Sequence, residues 1–354
     1  MTTRRPLIAS SDSPPGVDLA RLAAWLDAER PGLRQEPLSA TVIVGGRSNL
    51  TYRLTDGSHQ WALRRPPLGH VLPTAHDMVR EFTVLSALYG SAVPVPEPIA
   101  LCTDADVLGQ PFYLMSFIDG LVLEHPDLVP APDVARRATE TLVDTLVALH
   151  QIDPAAVGLS DFGRPDGFLR RQVARWHKQF QASVPEGSAI ETGVVRRLRE
   201  QLPESSRSGI VHGDYRLTNV LFNPDFASSQ STTASIEAVV DWEMATLGDP
   251  LTDVGLLYVY HDCARTSGSV MPDFPAEQGY LSPQAMVARY AEATGLEIAD
   301  LDWYIAFGYY KLSVIAAGIH ARFQQGKTIG EGFGVFGGLR DATMDAASAQ
   351  LGGN

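Results

Sequence analysis

The sequence predicts an α+β chain of two lobes, a small β-rich N-terminal lobe and a larger, mainly helical C-terminal one. Two patterns and one length carry the prediction. Up to residue 118 the chain reads strand, glycine-rich turn, strand, strand, helix, strand, strand. Beyond residue 118, long runs with apolar residues at helical spacing dominate. The 354 residues suffice for two separate cores.

Residues 1–16 are polar and read as a flexible tail. Val17–Glu29 opens the small lobe with apolar positions that suit a short amphipathic helix. Ala40–Val44, Leu50–Leu54 and Gln60–Arg64 read as strands, the first two separated by Gly45-Gly46-Arg47-Ser48-Asn49. His76–Tyr89 has Met78, Val79, Phe82, Leu85 and Leu88 at helical spacing, with Gly90 beyond its end. Ile99–Cys102 and Phe112–Phe117 complete the lobe, assigned to 17–118, and Ile118-Asp119-Gly120 reads as a hinge. In the second lobe, 119–354, helices are expected at Val134–Ile152, Phe168–Gln181, Thr192–Gln201, Pro283–Thr294 and Asp302–Gln325. Ser228–Ser235 reads as a hairpin tip between two strands.

Composition narrows the class. Hydrophobic residues at 45% and charged residues at 19% describe a globular chain. The formal charge of −13 argues against nucleic acid or an anionic membrane as a partner. Cys102 and Cys263 lack the spacing of a zinc site or a disulfide framework and read as buried thiols. No apolar run is long enough to span a bilayer, and no leader pattern opens the chain, so a cytoplasmic location is expected.

The chemistry is concentrated in His212-Gly213-Asp214-Tyr215-Arg216-Leu217-Thr218-Asn219 and in Asp241-Trp242-Glu243. An Asp five residues before an Asn, with a second Asp after the next apolar strand, supplies a group to orient a hydroxyl and hard oxygen ligands for magnesium. Taken singly, each is an ordinary turn or cap residue. The joint spacing favours a kinase-type catalytic loop and its metal aspartate.

Together with Gly45–Tyr52, Leu63-Arg64-Arg65-Pro66-Pro67, Arg80-Glu81 and Gly248-Asp249-Pro250-Leu251-Thr252-Asp253, these stretches make the chain resemble the aminoglycoside phosphotransferase superfamily. More narrowly, it resembles the phosphotransferase domains fused to acyl-CoA dehydrogenases. The resemblance spans roughly residues 15–265 and leaves no stretch that could hold the dehydrogenase portion. It implies a protein-kinase-like fold and an ATP- and Mg²⁺-dependent transfer of phosphate to a hydroxyl of a small molecule.

Carried over residue by residue, the resemblance makes Asp214 the catalytic aspartate, with Asn219 and Asp241 as metal ligands. Arg216 either places a cation on the γ-phosphate or pairs with a nearby acid. Gly46, Ser48 and Asn49 would let backbone approach the phosphates, although an ordinary hairpin explains the same turn. Arg64 stands where such kinases carry lysine; it can pair with Glu81 and touch phosphate as a planar fork, and a register shift of one would hand that role to Arg65. Adenine would bond the backbone at Ser116 and Ile118. His212 and Asp253 read as loop-holding residues, and Glu243 as either a supporting group or an exposed one.

The acceptor is less legible. Arg171, Arg175 and Lys178 share a helix face by i, i+4 and i+3 spacing. That stripe suits an anionic acceptor, with Arg171 and Arg175 as its ligands, or is simply a solvated face. The narrower resemblance implies a hydroxyacyl-CoA or related hydroxy acid. An antibiotic kinase is the rival acceptor reading, and a nucleotide-binding regulatory module without catalysis is the rival from another class.

Overall fold

The computed structural model describes residues 13–43, 49–68, 76–129, 131–204, 207–227, 234–267, 271–326 and 333–352, with side chains at 264–267 excepted. Gly46, Ser48 and residues 228–233 of the expected hairpin tip lie outside the described residues. The chain divides into two compact units. The first comprises residues 1–122 with 220–224 and 236–243; the second comprises 123–219, 225–235 and 244–354.

The first unit is built on a five-stranded antiparallel sheet in the order β1-β2-β3-β5-β4. Its strands are β1 (Ser39–Ile43), β2 (Leu50–Thr55), β3 (Gln60–Arg65), β4 (Pro98–Cys102) and β5 (Phe112–Ser116). Helix α1 (Leu19–Glu29) starts where the Asp18 carboxylate accepts from the N–H groups of Ala20 and Arg21. It buries Leu22 and Leu26 in a core with Leu54, Leu63, Phe112 and Leu114. Helix α2 (Met78–Leu88) is capped by Asp77 and buries Met78, Glu81, Val84, Leu85 and Leu88. An acid thus stands on the apolar face of α2, which is costly unless partners meet it. The sheet register supplies them: Arg64 of β3 lies opposite Tyr113 of β5, and directly opposed residues share a face.

Two further strands belong to this unit, β7 (Val220–Phe222) and β8 (Ile236–Val239), paired antiparallel. The Trp242 indole N–H donates to the Val239 carbonyl just beyond β8. Asp241 between them has φ +71°, the left-handed region that non-glycine residues enter sparingly and Asp tolerates better than most. A one-turn helix, α3 (Ala105–Leu108), completes the unit.

The second unit is helical. It contains α4 (Pro132–Gln151), α5 (Phe168–Ser183), α6 (Ala189–Glu200), α7 (Leu251–Ser267), α8 (Pro283–Thr294), α9 (Leu301–Gln324) and α10 (Phe336–Gln350). A two-stranded antiparallel pair, β6 (Gly209–Val211) with β9 (Thr246–Gly248), crosses it. Helix α9 is its axis: Trp303 to Val314 are all buried, because α5, α6, α7 and α10 pack around it. Gly255 of α7 lets the backbones of α7 and α9 meet, since a Cβ there would stand 2.4 Å from the Tyr304 carbonyl oxygen. The architecture is therefore the α+β arrangement that the sequence predicts, an antiparallel sheet unit and a helical unit.

Candidate active site

In each unit, buried polar side chains gather around residues that the sequence singles out. In the first, the Arg64 guanidinium is a fork between two carboxylates. Its Nε donates to Glu81 Oε2 at 2.7 Å, and its Nη2 pairs with Asp241 Oδ1. Glu81 also accepts from the Tyr113 hydroxyl at 3.0 Å and from the Asn49 amide at 2.7 Å. Asn49 donates in addition to Glu243 at 3.1 Å, and Glu243 lies 3.9 Å from His76 Nδ1. Burial opposes the charge on Arg64, but the Glu81 and Asp241 carboxylates outweigh it and hold the guanidinium protonated. Burial pushes the Glu81 carboxyl up, and Arg64 counters by favouring its ionised form.

The register is thereby fixed. Arg64 faces Glu81 and Asp241, while Arg65 turns to the carbonyls of Gly16 and Pro66. The Asn49 side chain spends both amide hydrogens on the carboxylates of Glu81 and Glu243. Ser116 closes β5 with its Oγ accepting from the Glu97 N–H at 2.9 Å, and Ile118 just beyond is half-buried.

In the second unit the His212–Asn219 loop follows β6. Asp253, at the start of α7, accepts from the N–H groups of His212 at 2.7 Å and Gly213 at 2.8 Å. Its carboxyl is fully buried, which pushes it up. The His150 contact, the nearby imidazoles and the Gly213 N–H together hold it below the usual range. His150 in turn meets the Tyr290 hydroxyl at 2.9 Å. Gly213 has φ +85°, and a Cβ there would stand 2.8 Å from both Cβ and O of Met244. Its carbonyl accepts from the Lys311 ammonium of α9. Gly213, just before Asp214, is thus held at its N–H by an anion and at its carbonyl by a cation.

Asp214 itself is half-buried and its two oxygens have different neighbours. Oδ1 accepts from the Tyr260 hydroxyl; Oδ2 accepts from the Asn219 amide at 2.9 Å and lies 3.5 Å from Arg216 Nε. The Asp214 N–H donates to His212 Nδ1 at 3.1 Å. The Arg216 guanidinium stacks over the Tyr260 ring at 5.0 Å. Lys311 lies 5.3 Å over the Trp176 ring, and burial pushes its ammonium down to about 8 against the pull of Asp214 and Asp253.

The structure brings Asp214, Arg216 and Asn219 together, and separately Asn49, Arg64, Glu81 and Asp241. It leaves Arg171 and Arg175 on the exposed face of α5. Arg171 is engaged by the carbonyls of Arg164 and Asp166, so it ties down the loop before its helix. Arg175 lies 5.7 Å over the Trp176 ring. Sequence reading passed over Tyr113, Tyr260 and Lys311. A lone lysine within the apolar run Trp303–Ala317 was the available signal for Lys311. Tyr113 and Tyr260 carry no such mark, because tyrosine is common in cores.

Each unit offers an oxygen of the kind a hard cation takes. Asn219 spends its amide nitrogen on Asp214, which leaves its carbonyl oxygen; Asp241 gives one oxygen to Arg64 and keeps the other. Among the described residues no three His, Cys, Asp or Glu side chains form a metal cage.

Known proteins place the chain. A family model described as the phosphotransferase enzyme family matches residues 39–293. Acyl-CoA dehydrogenase family member 11 of Gallus gallus is 31% identical over 325 residues, covering 89% of this chain and 41% of that protein. The chain thus spans about two fifths of that relative's length. Among solved structures, a protein of Ralstonia eutropha provisionally described as an aminoglycoside phosphotransferase superposes with a TM-score of 0.77 at 28% identity, covering 95% of this chain and 97% of that one. The ethanolamine kinase of Plasmodium vivax shares the fold at a TM-score of 0.60 and 12% identity, over 94% of this chain and 86% of that one. Among the described residues no helix is long and apolar enough to cross a membrane. The chain belongs to the phosphotransferase enzyme family, on its kinase-like fold and in the branch related to acyl-CoA dehydrogenase family members.

Proposed function

We propose that the protein transfers the γ-phosphoryl group of ATP to a hydroxyl of a small molecule, with Asp214 as the residue that orients and deprotonates that hydroxyl. The observation that carries this reading is the holding of Asp214. Its carboxylate, its peptide N–H and the preceding peptide are each fixed by a separate partner. A loose phosphoryl-transfer transition state asks for positioning more than for base strength, and this loop supplies positioning.

In the proposed reaction an O–P bond forms between the acceptor oxygen and the γ-phosphorus while the bond to the β,γ-bridging oxygen breaks. The acceptor proton passes to Asp214, and ADP leaves. Asn219 and Asp241 would each offer an oxygen to magnesium, whose charge stabilises the phosphate oxygens when bound. Arg216 supplies a cation beside the base, and Arg64 holds Asp241 in place.

For the acceptor we propose a hydroxyacyl-CoA or related hydroxy acid. Support comes from the relatives named as acyl-CoA dehydrogenase family members, since a kinase acting on the same acyl chain would hand them a modified substrate. An amino-sugar antibiotic is the alternative acceptor. A regulatory module without catalysis is disfavoured, because Asp214, Asn219 and Asp241 are all retained. A screen with γ-labelled ATP across hydroxylated acyl-CoAs, amino sugars and amino alcohols tests the reading. Label should pass to the acyl-CoAs in a magnesium-dependent manner; transfer to amino sugars alone would overturn the acceptor class, and transfer to none would overturn the kinase reading.

A further inference from the structure

We infer that Tyr260 is a positioning residue for the base: its hydroxyl holds Asp214 Oδ1 and, opposite the Asn219 amide on Oδ2, sets the rotation of the carboxylate that meets the acceptor's proton. The inference rests on the reading of Asp214 given above. Three features on α7 support it. Tyr260 is 7% exposed, and its hydroxyl donates to Asp214 Oδ1. Burial and the adjacent Asp214 carboxylate push its pKa well above the ordinary 10, so it stays an O–H donor. Finally, Tyr260 lies seven residues after Asp253, on the same face of one helix.

That spacing gives one rigid element two grips on the loop. Asp253 holds the backbone N–H groups of His212 and Gly213, and Tyr260, two turns further on, holds the Asp214 side chain. A carboxylate attached to a fixed backbone still rotates about its own side-chain bonds; the Tyr260 contact on Oδ1, together with the Asn219 amide on Oδ2, removes that freedom. It also differentiates the two oxygens. Oδ2 keeps the Asn219 amide and the Arg216 guanidinium on its side, where a cation helps a phosphoryl group approach. The stacking of Arg216 over the Tyr260 ring ties that cation to the same residue.

Tyr260→Phe is the test, because it keeps the ring under Arg216 and deletes only the donor. The readouts are kcat, KM for ATP and acceptor, thermal midpoint, and the midpoint shift produced by ATP. The inference expects kcat to fall roughly 10- to 100-fold, the range for losing a hydrogen bond to a charged group, with both KM values and the ATP-induced shift unchanged. A kcat within twofold of wild type would overturn it, as would a raised acceptor KM at unchanged kcat, which would make Tyr260 an acceptor contact. Should Tyr260→Phe not fold, Tyr260→Trp, which offers an N–H from a larger ring, is measured in the same way. Failure of both to fold would assign Tyr260 to the core and overturn the inference. Asp214→Ala run alongside separates the two claims: its inactivity with a fully active Tyr260→Phe sinks only the role of Tyr260, whereas its activity sinks the reading of the base.

Discussion

Arg64 and Glu81 form a buried ion pair, Arg64 Nε to Glu81 Oε2 at 2.7 Å, with side-chain exposures of 11% and 1%. Such a pair is weak evidence for net stability, but breaking it from one side is expensive. Glu81→Ala or Arg64→Ala should each cost about 3–5 kcal/mol in denaturant unfolding. Changing both to apolar residues of similar size should cost less than the two single changes summed. Arg64→Lys, a point charge in place of a fork, cannot serve Glu81 and Asp241 together and should fall between wild type and Arg64→Ala.

Asp253 gives the acid side of the stability profile. Its folded-state pKa is held below the ordinary carboxylate value, so its contribution is complete above the unfolded value near 3.9 and is lost as pH falls through the lower folded value. Asp253→Asn should therefore lower the thermal midpoint clearly at pH 6, and the gap to wild type should shrink as pH is taken below 4. A gap independent of pH would contradict the assignment.

Lys311 makes stability rise with pH in the same direction, but in an alkaline window. Its folded value of about 8 lies below the ordinary 10.5, so the unfolded chain binds the extra proton between those limits and wild-type stability rises with pH across that window. The cost of keeping the ammonium buried below pH 8 is on the order of 3 kcal/mol. Lys311→Met removes that cost and also the bond to the Gly213 carbonyl. Relative to wild type, the variant should look most stable at pH 7 and lose its advantage towards pH 10, while its kcat at pH 7 falls several-fold. Differential scanning over that range, with a rate assay at pH 7, checks both.

Gly213→Ala tests the loop backbone. A left-handed φ and a Cβ contact of 2.8 Å with the Met244 carbonyl leave no relaxed position for the methyl group. A loss of about 2 kcal/mol or more, with kcat falling further than the stability loss explains, is expected. Unfolding curves and single-turnover rates measure the two effects.

Much of this was legible in the sequence, for identifiable reasons. The strands of the first unit alternate or run apolar between turn signals, and β1 to β5 lie within two residues of their expected limits. Helices with one apolar stripe were equally readable; α8 coincides with the expected Pro283–Thr294. Helix α7 was not foreseen, because it is buried on several sides and lacks a stripe. Helix α10 was missed because Gly337-Gly338 and a run of small residues give little periodicity. The chemistry of Asp214, Asn219 and Asp241 shows in their spacing. Their supporting contacts do not, because Tyr113, Tyr260 and Lys311 meet their partners over 32, 46 and 98 residues of chain. Conversely, the helical spacing of Arg171 with Arg175 was visible, but not that Arg171 is engaged by its own loop.

The central claim is that Asp214 carries the chemistry without carrying the nucleotide. The measurement is phosphoryl transfer from γ-labelled ATP to a hydroxylated acyl-CoA by Asp214→Ala, paired with the shift in thermal midpoint produced by ATP and magnesium. The account predicts that transfer is abolished while the nucleotide-induced shift stays close to that of the wild-type protein. Transfer by the variant at a rate near wild type would contradict it.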